Sequence, residues 1–135
     1  MSEYIRPACF EDCWSMFRLA NAPDVRKNSF SPRPITEDEH LAWWNNKMAH
    51  PNRCRILVAC DLRTNKLLAY VRYDKVADHV AEVDYAVIPE YRGQGFGAAI
   101  VRDTVQSVMR ALGVHRVYAL VWPGNPASAK SIQKA

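Results

Sequence analysis

The stretch from residue 85 to residue 112 restricts the fold of this chain more than any other part of its sequence. A strand pattern ends at Pro89, a turn containing three glycines follows, and an amphipathic helix is predicted from Gly95 to Leu112. The apolar residues of this helix fall along one stripe, and Gly113 is a typical C-terminal stop. This strand, turn and helix indicate an α/β protein.

Hydrophobic spacing divides the rest of the chain into short elements. We predict strands at residues 4–7, 55–60, 67–73, 79–88 and 117–121, and further helices at 10–21, at 36–48 and from Asn125 onward. Thr36 and Glu39 form the capping box that opens the second helix. The resulting element order is β-α-α-β-β-β-α-β-α.

The length and composition are those of one globular domain. The chain has 135 residues, of which 49% are hydrophobic and 24% charged, which excludes a disordered chain. No apolar run approaches the roughly 18 residues that span a bilayer, and the N-terminus resembles no secretory signal. The four cysteines form no C-x-x-C pair, so we expect reduced thiols and a cytoplasmic protein without a membrane partner.

The charge of the chain is unevenly placed. The net charge is +4, but residues 1–90 sum to −1 and residues 91–135 to +5. The basic residues of the last third are spread rather than clustered, whereas a nucleic-acid-binding protein would show a basic stripe. A positive field around one anionic ligand fits this distribution better than a nucleic-acid partner does.

The glycine turn is the best candidate for the anion site. In Arg92-Gly93-Gln94-Gly95-Phe96-Gly97-Ala98 the glycines allow close approach of the backbone, the helix N-terminus offers N–H groups, and Arg92 adds a cation. The turn formally matches the dinucleotide fingerprint, but the acidic residue expected about 20 positions later is absent. The P-loop pattern fails as well, because no Gly-Lys-Ser/Thr follows.

The same segment resembles the GNAT family of N-acetyltransferases. Residues 92–97 look like the family's R/Q-x-x-G-x-G/A loop, which binds the pyrophosphate of acetyl-CoA. Residues 85–91 are similar to its fourth strand, whose backbone pairs with the pantetheine arm, and Asn125-x-x-Ser128 resembles its second coenzyme motif. The resemblance implies a mixed, mostly antiparallel sheet flanked by helices, and coenzyme contacts from Ala86, Val87, Arg92, Gly93, Gln94, Gly95, Phe96, Gly97, Ala98, Asn125 and Ser128.

The first half of the chain resembles a narrower branch of the family. That branch acetylates amino groups on nucleotide-linked sugars, as in pseudaminic and legionaminic acid synthesis. A pocket for such a substrate needs cations and aromatic faces. The expected acceptor residues are Arg26, Ser29, Phe30, His40, Trp43 and Trp44. The alternative for the two tryptophans is a core-facing pair on an amphipathic helix.

The resemblance implies direct attack of a small-molecule amine on the thioester, without a metal. Glu82 and Asp84 share one face of the predicted strand, and either could take the proton of the amine directly or through water. The backbone N–H of Val87 is the candidate for stabilising the oxyanion. Many family members have a leaving-group tyrosine where this chain has Ile132, so the group that protonates the thiolate stays open.

The chain also departs from the family at its end. The family usually has two further strands after the last helix, and the sequence ends at Ala135, which predicts a single domain over residues 1–135 that is C-terminally truncated. Two alternative functions remain open: a protein or peptide N-terminal acetyltransferase, and a non-catalytic CoA-binding module. A homodimer is left open as the oligomeric state.

Overall fold

The computed structural model describes residues 3–23 and 33–119, which form five strands, three α-helices and two short 3-10 helices. In chain order the strands and α-helices are β1 (Glu3–Pro7), α1 (Cys13–Ala20), α2 (Glu37–Met48), β2 (Cys54–Asp61), β3 (Leu67–Ala77), β4 (Val80–Val87), α3 (Phe96–Leu112) and β5 (Arg116–Tyr118). The 3-10 helices are Phe10–Asp12, before α1, and Pro89–Tyr91, after β4. Among these described residues, no helix is both long and apolar enough to cross a membrane.

The five strands form one sheet in sequential order, from β1 at one edge to β5 at the other. The first three pairings are antiparallel, and β5 runs parallel to β4. The predicted mixed, mostly antiparallel sheet is therefore confirmed. The tight β2–β3 connection is held by Asp61, whose carboxylate accepts hydrogen bonds from the N–H groups of Arg63 and Thr64 at 2.8 and 3.0 Å.

Helices cover both faces of the sheet. The side chains that α1 and α2 bury on one face include Met16, Leu19 and Trp44, which pack with Val58 and Tyr70 of the sheet. Helix α3 covers the other face, where its buried residues and those of the strands include Ile100, Val101, Val108, Val71 and Val83. Each fully buried aliphatic or aromatic side chain contributes about 1.5–3 kcal/mol, so both layers hold the sheet in place.

The helix ends form as the sequence predicts. The Thr36 hydroxyl accepts from the N–H of Glu39 at 3.1 Å, and the Glu39 carboxylate accepts from the N–H of Thr36 at 3.3 Å, which completes the capping box. Helix α3 ends at Gly113, whose φ is +70°, and the N–H of Val114 donates back to the Met109 carbonyl at 3.0 Å.

Two boundaries differ from the prediction for physical reasons. The predicted helix over 10–21 is split, because Asp12 accepts a hydrogen bond from the Cys9 N–H and pairs with Arg6, which holds residues 10–12 in a 3-10 turn. Strand β3 extends to Ala77, since β4 continues to pair with it as far as Val80. The end of the predicted last strand and the predicted helix from Asn125 lie outside the described residues.

Candidate functional site

The two faces of β4 differ as its alternating sequence predicts. Val83 and Val87 are buried in the core beneath α3, whereas Ala86 belongs to the core beneath α1 and α2. Glu82 and Asp84 alternate in step with Ala86 and therefore lie on the α1/α2 face of the sheet. Glu82 is half-buried, and the Asp84 side chain is 53% exposed. Both candidate bases are thus presented on the same face.

The backbone of β4 directs the N–H of Val87 away from β3. The N–H of Ile88 donates to the Leu68 carbonyl at 2.9 Å, so the neighbouring Val87 N–H points away from β3. The carbonyl of Val87, which lies on the same side of the strand as its N–H, accepts from Arg92 Nε at 2.8 Å rather than from β3. The strand therefore directs the Val87 N–H toward the β5 side, as the oxyanion hypothesis requires.

On that side, β5 covers only the beginning of β4. Its pairing partners are Val80, Ala81 and Glu82, and the described part of the strand ends at Tyr118, opposite Glu82. Within the described residues, the β5-side edge of β4 over 83–87 has no strand partner. An extended ligand that lay along this edge would hydrogen-bond to the backbone of β4.

The glycine turn joins this edge to α3. Gly93 and Gly95 have φ values of +75° and +74°, and a Cβ added at either would stand in open space. Left-handed φ costs other L-residues about 1–2 kcal/mol, so both positions favour glycine. Gly95 is the N-cap of α3, with no side-chain cap and no acidic residue in the first turn. The first N–H groups of the helix, at residues 96–98, are therefore available to an anion.

Gly97 is a glycine for a different reason. A Cβ at this position would overlap the aromatic ring of Tyr85 on β4, so the missing side chain allows α3 to approach the strand closely. The rings of Tyr91 and Phe96 meet edge to face with their centroids 5.2 Å apart, and the Gln94 amide donates to the Glu90 carbonyl at 3.0 Å. These contacts give the turn a defined shape.

The Arg92 side chain folds back onto β4. Its Nε donates to the Val87 carbonyl at 2.8 Å, and burial lowers its pKa. The guanidinium group therefore lies beside the open edge of β4 and ties the turn to the strand. This arrangement places the cation where the strand edge meets the glycine turn.

A network of charged side chains lies on the α1/α2 face beside Asp84. The Lys47 ammonium on α2 contacts Asp74 at 2.8 Å, and Arg72 Nε contacts the other oxygen of Asp74 at 2.6 Å. The Arg72 guanidinium also reaches Asp84 at 3.7 Å and lies 5.4 Å from the centroid of the Trp43 ring. Asp84 is therefore linked through β3 to the end of α2.

The electrostatics of this network keep its members charged. Burial by itself lowers the pKa of Arg72, but attraction from Asp84 and Asp74 raises it overall. Burial likewise raises the pKa of Asp74, yet Arg72 and Lys47 together lower it below its usual value. The sequence analysis did not identify Arg72, Asp74 or Lys47. Arg72 and Asp74 are two residues apart on β3, so their spacing places them on one face of the sheet. Only the register between β3 and β4 shows that this face also carries Asp84.

The residues predicted to hold the acceptor fall into three groups. His40 and Trp44 are 4% and 2% exposed, and packing between α1, α2 and the sheet accounts for both. Trp43 is half-buried and lies at Arg72. Arg26, Ser29 and Phe30 lie outside the described residues, as do the coenzyme candidates Asn125 and Ser128.

A comparison of the sequence with known families agrees with this fold. Residues 4–135 match the family described as "Acetyltransferase (GNAT) domain". The chain belongs to the GNAT acetyltransferase family. The GNAT assignment confirms the enzyme class expected from the resemblance, an N-acetyltransferase. No curated protein sequence shows significant similarity to this GNAT domain.

Solved structures of N-acetyltransferases share the fold. A spermidine N-acetyltransferase from Vibrio cholerae, in complex with CoA and spermine, superposes with a TM-score of 0.81 at 21% identity, over 98% of this chain and 79% of the other. A phosphinothricin acetyltransferase from Sinorhizobium meliloti, in complex with acetyl-CoA, gives 0.81 at 20% identity, over 98% and 73%. An N-acetyltransferase from Staphylococcus aureus gives 0.82 at 22% identity, over 99% and 82%. At these identities the likeness shows the GNAT fold.

No metal-binding cluster is found in the described part of this GNAT domain. Among residues 3–23 and 33–119, no group of three or more histidine, cysteine, aspartate or glutamate side chains is arranged to hold an ion. The four cysteines are free thiols, and Cys13, Cys54 and Cys60 are buried.

Proposed function

We propose that this GNAT domain transfers an acetyl group from acetyl-CoA to the amino group of a nucleotide-linked amino sugar. The observation that carries the coenzyme assignment is the continuity of the open edge of β4 with the uncapped N-terminus of α3. The edge suits an extended pantetheine arm, and the helix N–H groups suit a pyrophosphate. Acetyl-CoA, when bound, supplies the acetyl group as a reactive thioester.

The position of Val87 favours Asp84 over Glu82 as the base. A strand rises about 3.3 Å per residue, so Asp84 is about 10 Å from Val87 along β4 and Glu82 about 16 Å. One water molecule next to the Asp84 carboxylate can span the remaining distance to an amine that attacks a thioester whose carbonyl oxygen lies at the Val87 N–H. We therefore propose that Asp84 accepts the proton that the ammonium group loses before it attacks. The Val87 N–H stabilises the oxyanion that develops on the thioester carbonyl.

The remaining steps need no further side chain. After Asp84 has taken the first proton of the ammonium group, the neutral nitrogen bonds to the thioester carbon, and the carbon–sulfur bond then breaks. The second proton leaves the nitrogen and passes through water to the departing sulfur. Ile132 stands where many family members have a tyrosine, so we assign protonation of the departing thiolate to water. The four free thiols support a reducing compartment, such as the cytoplasm, for this reaction.

The acceptor assignment rests on the chemistry next to Asp84. The half-buried Trp43 ring, 5.4 Å from the Arg72 guanidinium that contacts Asp84, offers an aromatic face suited to the flat base of a nucleotide. The rival acceptor is a polyamine, which the Vibrio cholerae enzyme acetylates according to its name. The exposed Asp84 and half-buried Glu82 would attract such a cation.

An acceptor screen tests the proposal. The protein is incubated with acetyl-CoA and, separately, with a UDP-linked 4-amino sugar, spermidine, phosphinothricin or a peptide with a free N-terminus. CoA release and the mass of the product are measured. We expect the largest kcat/KM for the sugar nucleotide. Acetylation of spermidine or peptide alone would overturn the acceptor assignment, and CoA binding without any turnover would favour a non-catalytic module.

A further inference from the structure

Arg72 lies among carboxylates on the face of the sheet that carries the candidate bases. In the sheet it pairs with Asp84, and the next pair on the same face is Asp74 with Glu82. Side chains directly opposite each other on antiparallel strands are neighbours, with Cβ atoms about 4.5–5.5 Å apart. Arg72 Nε lies 2.6 Å from one oxygen of Asp74, and its guanidinium group lies 3.7 Å from Asp84. One cation is therefore shared unequally between two carboxylates.

The unequal distances indicate that Asp74 holds Arg72 more tightly than Asp84 does. The Asp74 side chain is 16% exposed and the Asp84 side chain 53%, so water screens the longer contact more strongly. Lys47 binds the other oxygen of Asp74 at 2.8 Å, and the Trp43 ring centroid lies 5.4 Å from the guanidinium carbon. Arg72 is therefore held from α2 and β3 and keeps its place when Asp84 takes up a proton.

This arrangement bears on how well Asp84 can act as a base. A general base works best when its pKa lies near the pH of the reaction. A cation within about 4–6 Å lowers the pKa of a carboxyl group, and a neighbouring carboxylate raises it. Arg72 acts on Asp84 in the first sense, whereas Asp74 and Glu82 act in the second. By binding the guanidinium group itself, Asp74 also keeps Arg72 from forming a close pair with Asp84.

Other ionisable groups on this face have little effect on Asp84 near neutral pH. Among the described residues they are Tyr70, Cys54, Tyr118 and Arg116 on the strands and the buried Cys13 and His40 on α1 and α2. Tyrosines ordinarily titrate near pH 10. Burial raises the pKa of the Cys13 and Cys54 thiols and lowers that of the His40 imidazole, so none of the three is charged. Arg116 lies opposite Val80, about 13 Å from Asp84 along β4.

We propose that Arg72 is a positioning residue that sets the pH range in which Asp84 accepts a proton, and that Asp74 limits this effect. Asp74 and Lys47 are the fixed part of the network, while Asp84 is the member that exchanges protons. The inference rests on the proposed function in one respect, because it takes Asp84 as the base. It predicts opposite results for removing the cation and for removing its competitor.

Titration of the Asp84 carboxyl carbon by carbon-13 NMR, in the protein without ligands, tests the inference directly. The Asp84 signal is assigned from its loss in Asp84→Asn. Arg72→Gln should raise the titration midpoint by about one pH unit, and Asp74→Asn should lower it by about half a unit. Arg72→Lys should restore part of the native midpoint, because it keeps the charge but loses the planar group that reaches both carboxylates.

Two matched controls come from α3, on the other face of the sheet. Arg110→Gln and Asp103→Asn remove the same charges from exposed positions, and neither should move the Asp84 midpoint. Arg72 is largely buried, so Asp74→Asn, which keeps the shape of the side chain, provides the second variant if Arg72→Gln does not fold. An unchanged midpoint in Asp74→Asn, or a shift in the same direction as in Arg72→Gln, would overturn the inference.

The pH dependence of kcat/KM separates this inference from the assignment of the base. With the best acceptor, the acid limb of the profile should move in the same direction as the NMR midpoint in each variant, while the Kd for CoA stays the same. If the NMR midpoints shift as expected and the acid limb does not, the effect of Arg72 on Asp84 stands and the proposed base is wrong.

Discussion

At the scale of single residues, the proposed catalysis depends on how two carboxylates on one strand, Glu82 and Asp84, differ. Asp84 is held at 3.7 Å by Arg72, and it lies closer along β4 to Val87 than Glu82 does. The cation that orients Asp84 is in turn held by Asp74 at 2.6 Å. We therefore propose Asp84, the carboxylate nearer to Val87, as the base.

This difference predicts unequal effects of two matched substitutions. Asp84→Asn should lower kcat by about 10²–10⁴, the usual contribution of a general base, and should leave the Kd for CoA unchanged. Glu82→Gln, which changes the same chemistry two residues away, should have a much smaller effect. Steady-state kinetics with the best acceptor measures both. A larger loss in Glu82→Gln than in Asp84→Asn would contradict the assignment of the base.

At the scale of secondary structure, α1 and α2 are joined by a buried histidine. The His40 Nε2–H donates to the Cys13 carbonyl at 2.8 Å, and the imidazole stacks on Trp43 with the ring centroids 5.5 Å apart. Burial lowers the pKa of His40, and the hydrogen bond to Cys13, which acts in the opposite direction, only partly offsets it. The folded chain therefore holds this histidine in its neutral form.

The lowered pKa makes the packing of α1 on α2 sensitive to acid. The unfolded chain takes up a proton near pH 6.5, which folded His40 binds only at lower pH. Stability is therefore complete above about pH 6.5 and declines as the pH falls through the folded pKa. Urea midpoints measured from pH 8 to pH 5 should show this decline, and His40→Gln, which keeps a donor for Cys13, should flatten it. An equal slope in the variant would contradict the interpretation.

The packing of α3 on β4 gives a second prediction at this scale. Gly97→Ala should destabilise the domain by about 1–3 kcal/mol, the usual cost of overpacking, because the new Cβ overlaps the Tyr85 ring. In a Tyr85→Leu background the same change should cost less. Gly95→Ala is the control, since its cost comes from backbone strain and should be the same in both backgrounds. Urea unfolding measures all four differences, and an undiminished cost of Gly97→Ala would contradict the steric explanation.

Sequence reasoning succeeds where the determinants are local and fails where they are distant. The unit from β4 to Gly113 could be predicted, because alternation, glycine positions and a helical stripe are all contained in one segment. The start of α1 could not, since the ion pair of Asp12 with Arg6, six residues earlier, leaves no mark on the hydrophobic spacing. The contact of Arg72 with Asp84 also depends on the register between β3 and β4, which the sequence pattern does not specify. The side of α2 that is buried is set by α1, so His40 and Trp44 could not be distinguished from Trp43.

At the scale of the whole molecule, β4 contributes both to the proposed coenzyme site and to the proposed acid–base chemistry. Its β5-side edge and the glycine turn form the proposed coenzyme site, while its α1/α2 face carries the candidate bases. The charged residues over 91–119, four arginines and one aspartate, also favour an anionic coenzyme near α3. The central claim is therefore that the uncapped N-terminus of α3 receives the pyrophosphate of CoA.

Calorimetric titration of CoA into Gly95→Asp, compared with Gly95→Asn and the native protein, tests this claim most directly. Aspartate and asparagine both tolerate the left-handed conformation that Gly95 adopts, and both can cap α3. The carboxylate, however, puts a negative charge where the pyrophosphate would bind. We predict that Gly95→Asp weakens CoA binding by on the order of 100-fold and that Gly95→Asn weakens it far less. Equal CoA affinity of Gly95→Asp and the native protein would contradict the account.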